Sequence, residues 1–456
     1  MKKGNLCFFK GRQNLFYLAY HKERSFAKKR IEKSVKIKDM KILFFLMIAA
    51  SCWAMRNDSH HPGVMMHGMY GSYPMGQDAT GTSWAPASTQ MPGIHQSPDQ
   101  WLLMVHGFLT AIYDDQGGPL GENKFFSENM FMFTMQKDFG NSIFALRNMI
   151  SLEPATIGCN GYPLLLQTGE TCNGITPLTN RQHPHDFLME LAAVYTYRFS
   201  KENSLFGYFG YPGEPALGPP AYIHRFSAFF NPEAPITHHW LDSTHIVFGV
   251  ATIGYVQDWV KVDASIFTGK EPDQHRWNFD SPRFDSYSAR LSINPTKNTA
   301  AQISYGFLKS PEQLEPNVNI RRTTASISYN KAWAASNWQT TAAWGLNCNS
   351  PGHNLNGYLL ESAIELDSRH VLFGRVEYVA KNELFIPPSP NADKIFNVGK
   401  VDLGYIFEFP LIPYTLWGLG FVGSASFVPS TIKPAYGGTP FSYMAFLRIE
   451  LKDKKK

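Results

Sequence analysis

From Trp101 to Leu451 the sequence runs as sixteen stretches in which apolar and polar residues tend to alternate, and the joins between them alternate between short and long. Short joins fall at 139–141, 200–203, 257–259, 294–298, 334–337, 367–369 and 410–413. Between them lie long joins at 113–124, 154–186, 212–244, 269–284, 309–319, 347–355, 381–395 and 428–440. A soluble sandwich has no reason to keep that rhythm, whereas an outer-membrane barrel sets short turns in the periplasm and long loops outside. The expected fold is therefore all-β: a transmembrane antiparallel β-barrel of about 16 strands, within a range of about 14 to 18 because strand boundaries are weakly marked. An even number returns both termini to the periplasmic side. The third and sixth stretches read as 142–153 and 245–256.

Two faces are visible within single stretches. In the last, Tyr443, Ala445, Leu447, Ile449 and Leu451 oppose Ser442, Met444, Phe446, Arg448 and Glu450. Over 370–380, Leu372, Gly374, Val376, Tyr378 and Ala380 oppose Val371, Phe373, Arg375, Glu377 and Val379. One face suits lipid; the charged one needs water or a polar lumen. Charged residues make up 17% of the chain and aromatics 14%, the dilution expected of a barrel wall. The formal charge of +5 comes from residues 1–39 and Lys41, without which the remainder stands at about −5. No basic nucleic-acid surface is implied.

Met40–Ala54, MKILFFLMIAASCWA, has the layout of a signal peptide: a basic residue, a short apolar run and small residues before the cut. Residues 1–39 then read as an upstream extension, 55–99 as a flexible Met/His/Pro/Gly arm, 100–451 as the barrel and 452–456 as a basic tail. Cys52 within the leader is an alternative lipidation point. In an oxidising compartment Cys159 and Cys172 are expected to pair, leaving Cys348 free.

Imidazoles and carboxylates gather in two long joins. His183, His185 and Asp186 stand just before one stretch; Glu214, His238 and His245 lie in the next long join. His183, His185, His238 and His245 are expected to converge at the barrel mouth as a copper or zinc site, with Glu214 or Asp186 ligating or orienting them. Ordering of the loop by hydrogen-bonded histidines is the competing expectation. In the arm, Met65, Met66, His67 and Met69 offer the soft and imidazole ligands that suit copper. No GxSxG, HExxH, P-loop or dinucleotide fingerprint occurs in a suitable setting.

The phrases HGFLTAIYDDQGGPLG (106–121), RQHPHDFLMELA (181–192), GEPALGPP (213–220), NPEAPITHHWLDSTHI (231–246), GKEPDQHR (269–276) and LKSPEQLEP (308–316) resemble an uncharacterised family of proteobacterial outer-membrane β-barrel proteins. The resemblance implies a barrel and, for some members, genes for copper or other heavy-metal handling nearby; it supplies no catalytic residue. The expectation is a porin-like protein of the bacterial outer membrane that binds or passes a small polar solute or metal ion. Alternatives are an enzyme with a loop-borne hydrolytic site and a plugged structural or adhesin-like barrel. No cofactor is required; the candidate ion is copper or zinc. Expected partners are outer-membrane lipid and lipopolysaccharide, the barrel-assembly machinery and periplasmic metal-handling proteins, with no nucleic acid.

Overall fold

The computed structural model describes residues 67–453. The upstream extension, the signal peptide with Cys52, Met65, Met66 and the end of the basic tail lie outside the described residues. Sixteen antiparallel strands form the wall: β1 (Trp101–Asp115), β2 (Asn123–Asp138), β3 (Ser142–Ile150), β4 (Leu188–Arg198), β5 (Asn203–Gly210), β6 (Val250–Gln257), β7 (Val260–Phe267), β8 (Ser286–Thr296), β9 (Thr299–Leu308), β10 (Asn319–Trp333), β11 (Ser336–Ser350), β12 (Asn354–Leu366), β13 (His370–Lys381), β14 (Phe396–Phe409), β15 (Thr415–Phe427) and β16 (Phe441–Leu451). Each pairs with its neighbour in sequence, and β16 returns to β1 with Glu450 opposite Phe108 and Tyr443 opposite Asp115. Closure leaves no unpaired edge, the condition for crossing hydrocarbon with strands.

The period-2 reading of the faces holds. In β13, Val371, Phe373, Arg375, Glu377 and Val379 are buried, while Leu372, Val376 and Tyr378 are exposed. In β16 the buried set is Ser442, Met444, Phe446, Arg448 and Glu450. Outward, Ile253, Val262, Ile303, Ile327, Leu360 and Leu403 form an apolar band. Exposed aromatics lie at its two rims: Phe139, Phe199, Trp259 and Trp333 by the short turns, and Phe125, Phe209, Phe427 and Phe441 by the long joins. Such girdles mark the two membrane–water interfaces. The tight turns suit their strands: Asp367 and Ser368 both have φ of 53°, the paired left-handed conformation that matches strand twist.

Most strand boundaries shift from the sequence reading: β11 and β12 extend so that the long join expected over 347–355 is only 351–353, and two strands fall short of the reading by three residues or more. β3 stops at Ile150, because Pro154 sits in a single helical turn, Glu153–Thr156. β6 begins at Val250 rather than at 245: Ser243–His245 forms a 3-10 turn, and Gly249 takes a φ of 105°.

The lumen is filled. All residues from 212 to 249 except His224 are buried, so this join folds inward rather than standing as a surface loop. It is held by inward-facing wall charges and by a pair of its own. Arg225 pairs with Glu361 of the wall and, within the join at 2.9 Å, with Asp242; Glu233 pairs with Lys400 at 2.8 Å; Thr237 donates from N and Oγ1 to Glu377. The wall charges are themselves cross-strand neighbours, Asp263 opposite Arg290 and Glu361 opposite Arg375. That pairing offsets the desolvation of buried charge.

The arm read as flexible is, from His67 onward, irregular but packed inside the barrel. Met69, Tyr70, Met75 and Trp84 are buried. Arg147 donates to the Gly81 carbonyl at 2.8 Å, Thr82 Oγ1 to Asp263 at 2.5 Å, and Asn330 to the Ser88 carbonyl at 2.8 Å. Inward polar side chains thus satisfy an arm backbone that has few ladder bonds of its own.

Candidate metal site in the lumen plug

Between β3 and β4 the chain forms a hairpin, Tyr162–Thr171 with Pro177–Gln182, and a disulfide with Cα atoms 5.0 Å apart joins Cys159, just before its first strand, to Cys172 at the start of its turn. Cys348 is the free thiol. After the hairpin, His183 and His185 enter the plug. Gly169 makes room for His183: a Cβ there would lie 2.8 Å from the His183 Nδ1.

Four expected ligands meet there. The rings of His238 and His245 lie 5.1 Å apart, and those of His185 and His245 5.3 Å apart, with Tyr222 against all three. His183 lies alongside, its ring 6.4 Å from that of His239, which in turn is 5.7 Å from His238. Each of the three central rings is held through Nδ1: His185 by Glu153 at 2.8 Å, His238 by the Asp242 carboxylate at 2.7 Å and His245 by the Asp242 carbonyl at 2.8 Å. An imidazole that donates from Nδ1 keeps an unprotonated Nε2 lone pair, the state a metal ligand needs. His245 Nε2 and His239 Nε2 are buried without a hydrogen-bond partner.

Electrostatics favour the same state. Burial holds His183 and His245 well below the ordinary imidazole value and puts His239 at about 3, so all three are neutral. Burial alone would raise Asp242, but His238 and Arg225 outweigh it and keep it a carboxylate.

The expected orienting groups are different ones. Asp186 is 3.2 Å from Arg276, and burial pushes its pKa up to about 7. Glu214 lies under Gly81, where burial pushes it up to about 8. Neither bonds the histidines; Glu153 and Asp242 do. Asp242 carried a signal, since it follows His238 by four residues and precedes His245 by three, one face of a helical turn. Glu153 carried none, being supplied by a separate segment.

In the arm, His67 bridges Pro74 through the backbone, and Met69 N–H donates to Asp78 at 2.6 Å. The Met69 side chain lines a 60 Å³ cavity with Met91, Met104, Met132, His106 and His224. His224 Nε2 lies 3.3 Å from Met149 Sδ. Among the described residues, three ligating atoms within 4.8 Å of one another occur only at Glu170, Glu271 and Glu312, so the histidine set is more open than a closed ion cage.

No protein-family model and no curated protein matches the chain. Among solved structures it is similar to OmpF of Salmonella typhi, solved with daunomycin, at 9% identity over 78% of this chain and 100% of that one, with a TM-score of 0.48. The anion-selective porin from Comamonas acidovorans gives 9%, 77%, 100% and 0.46, and Pseudomonas putida OprB gives 9%, 77%, 94% and 0.43. The wall itself assigns the chain its place: a closed even-stranded barrel, an apolar belt between aromatic rims, and short turns opposite long joins belong to the bacterial outer membrane.

Proposed function

We propose that this plugged barrel binds a transition-metal ion, copper(II) or zinc, through His185, His238 and His245. The carrying observation is three buried imidazoles at 5.1 and 5.3 Å, each with Nδ1 already committed to an acceptor. Three imidazoles bound tetrahedrally through Nε2, at about 2.0–2.1 Å, hold their ring centroids about 5 Å apart. Two of the three ring pairs have that spacing, but the ligating nitrogens do not all lie within 4.8 Å of one another, so loading requires the rings and their loops to move inward. Glu153 and Asp242 supply the carboxylate support that metal-bound histidines use.

A separate cavity, lined by Met69, Met91, Met104 and Met132 with His106 and His224, offers thioethers, which suit copper in its reduced state. The resemblance to exported proteins of copper-handling neighbourhoods agrees with this reading, with a periplasmic metal-handling partner as the receiver.

Titration of the folded barrel in micelles with Cu²⁺ and Zn²⁺ tests the proposal. Wild type should show a tight site that the double substitution His185→Ala/His245→Ala removes. Equal binding by both would eliminate these ligands, and loss of binding only on deleting residues 60–76 would move the function to the arm.

A further inference from the structure

We propose that Glu170, Glu271 and Glu312 form a second, separate site, at the outer mouth, for a hard divalent cation of the calcium class. Each comes from a different long join: Glu170 from the hairpin after β3, Glu271 from the join after β7, Glu312 from the join after β9. Their carboxylate oxygens lie within 4.8 Å of one another. Glu170 and Glu271 are 4% and 5% exposed, and one oxygen of each is buried without a hydrogen-bond partner.

Three carboxyls this close cannot all be ionised without a counter-charge. Arg276 is engaged by Asp186, while Arg322, bonded only to the neutral Asn347 and Ser243, supplies part of the counter-charge and helps hold Glu271 below the ordinary range, leaving Glu170 and Glu312 without a full one. With no ion present, protons do the work: burial first, and the neighbouring acids next, hold Glu170 and Glu312 well above the ordinary range. A divalent cation replaces those protons, and they leave to solvent.

All-oxygen donors select calcium over the softer metals of the histidine site, because Ca²⁺ takes 6–8 oxygens at about 2.3–2.6 Å from carboxylates and amide carbonyls. On the same two joins as Glu271 and Glu312, Gln274 and Gln313 bring their amide nitrogens to Gly174, and the Oε1 of each is buried without a hydrogen-bond partner. The joins are already pinned together by a bond from Glu271 N–H to the Pro311 carbonyl at 3.0 Å. A bound ion would clamp three outer segments over the plug.

The test uses the full-length folded barrel in detergent, titrated with CaCl₂ by calorimetry and with Tb³⁺ by luminescence. Wild type should bind one Ca²⁺ with proton release in weak buffer. Glu312→Gln should weaken Ca²⁺ at least tenfold, and Glu170→Gln/Glu312→Gln should abolish it, while Cu²⁺ or Zn²⁺ binding is unchanged. Conversely His185→Ala/His245→Ala should leave Ca²⁺ intact, so the two sites fail independently. Absence of Ca²⁺ binding in wild type, or equal affinity in Glu312→Gln, overturns the proposal. Heat-modifiable gel migration verifies folding, and if the double variant does not fold, Glu312→Gln at a half-buried position decides alone.

Discussion

Replacing Glu153 by glutamine weakens metal binding at the histidine site by an amount that can be worked from two bonds. Both the His185 backbone N–H, at 2.9 Å, and its Nδ1, at 2.8 Å, donate to the same oxygen, Glu153 Oε2. Glutamine can present its carbonyl at that point, so both bonds survive, but as neutral ones. A bond to a charged acceptor contributes roughly 1.5–3 kcal/mol against about 1 for a neutral pair. The imidazole that carries the ion therefore loses about 1–2 kcal/mol of support, or about five- to thirtyfold in affinity at about 1.4 kcal/mol per decade. Glu153→Ala leaves both donors unpaired and should lie toward the far end of the roughly 10–100-fold range seen when outer partners of metal ligands are removed. Chelator competition on the folded barrel measures this, with heat-modifiable migration as the folding control. Affinities for wild type and Glu153→Gln within twofold of each other would refute the claim that Glu153 orients a ligand.

Three further outcomes follow from the architecture. Cysteine introduced at Ile175, 80% exposed on the long-join side, should react with an impermeant maleimide on intact cells, whereas Ala228→Cys, at 2% exposed in the plug, and Leu411→Cys, in a short turn, should not; the reverse pattern would invert the topology. Arg290→Met removes the partner that bonds Asp263 at 2.8 Å, leaving it the Thr82 hydroxyl and the charge of Lys261, and should cost up to about 3–5 kcal/mol in urea unfolding; a loss under about 1 kcal/mol would mean that water reaches these pairs. Cys159→Ser/Cys172→Ser removes a closed loop whose chain entropy is worth up to roughly 3 kcal/mol. Limited proteolysis at 173–176 should then accelerate while the barrel core persists, and an unchanged cleavage rate would show that the bond between them adds no local constraint.

The wall was written in the sequence because its rules are local. Alternation along β13 and β16 follows from the period of a strand, and the rhythm of joins follows from the two sides of a membrane, so strand number and the Cys159–Cys172 pair could both be read without coordinates. The convergence of His183, His185, His238 and His245 could be anticipated because two neighbouring long joins rise above one opening. What tertiary structure decided lay inside the barrel. Whether residues 212–249 stand in solvent or fill the lumen turns on the net balance of buried pairs such as Arg225 with Asp242 and with Glu361, the latter 136 residues away along the chain and brought near only because the plug and the wall strands face one lumen. The packing of the arm from His67 depends likewise on Arg147 and Asn330 reaching its backbone from the wall and on Asp263 accepting from the Thr82 hydroxyl. Glu153 takes the orienting role expected of Glu214 or Asp186 for the same reason: a hydrogen bond is selected by distance and direction in space, and a barrel interior brings together side chains whose spacing along the chain says nothing of either.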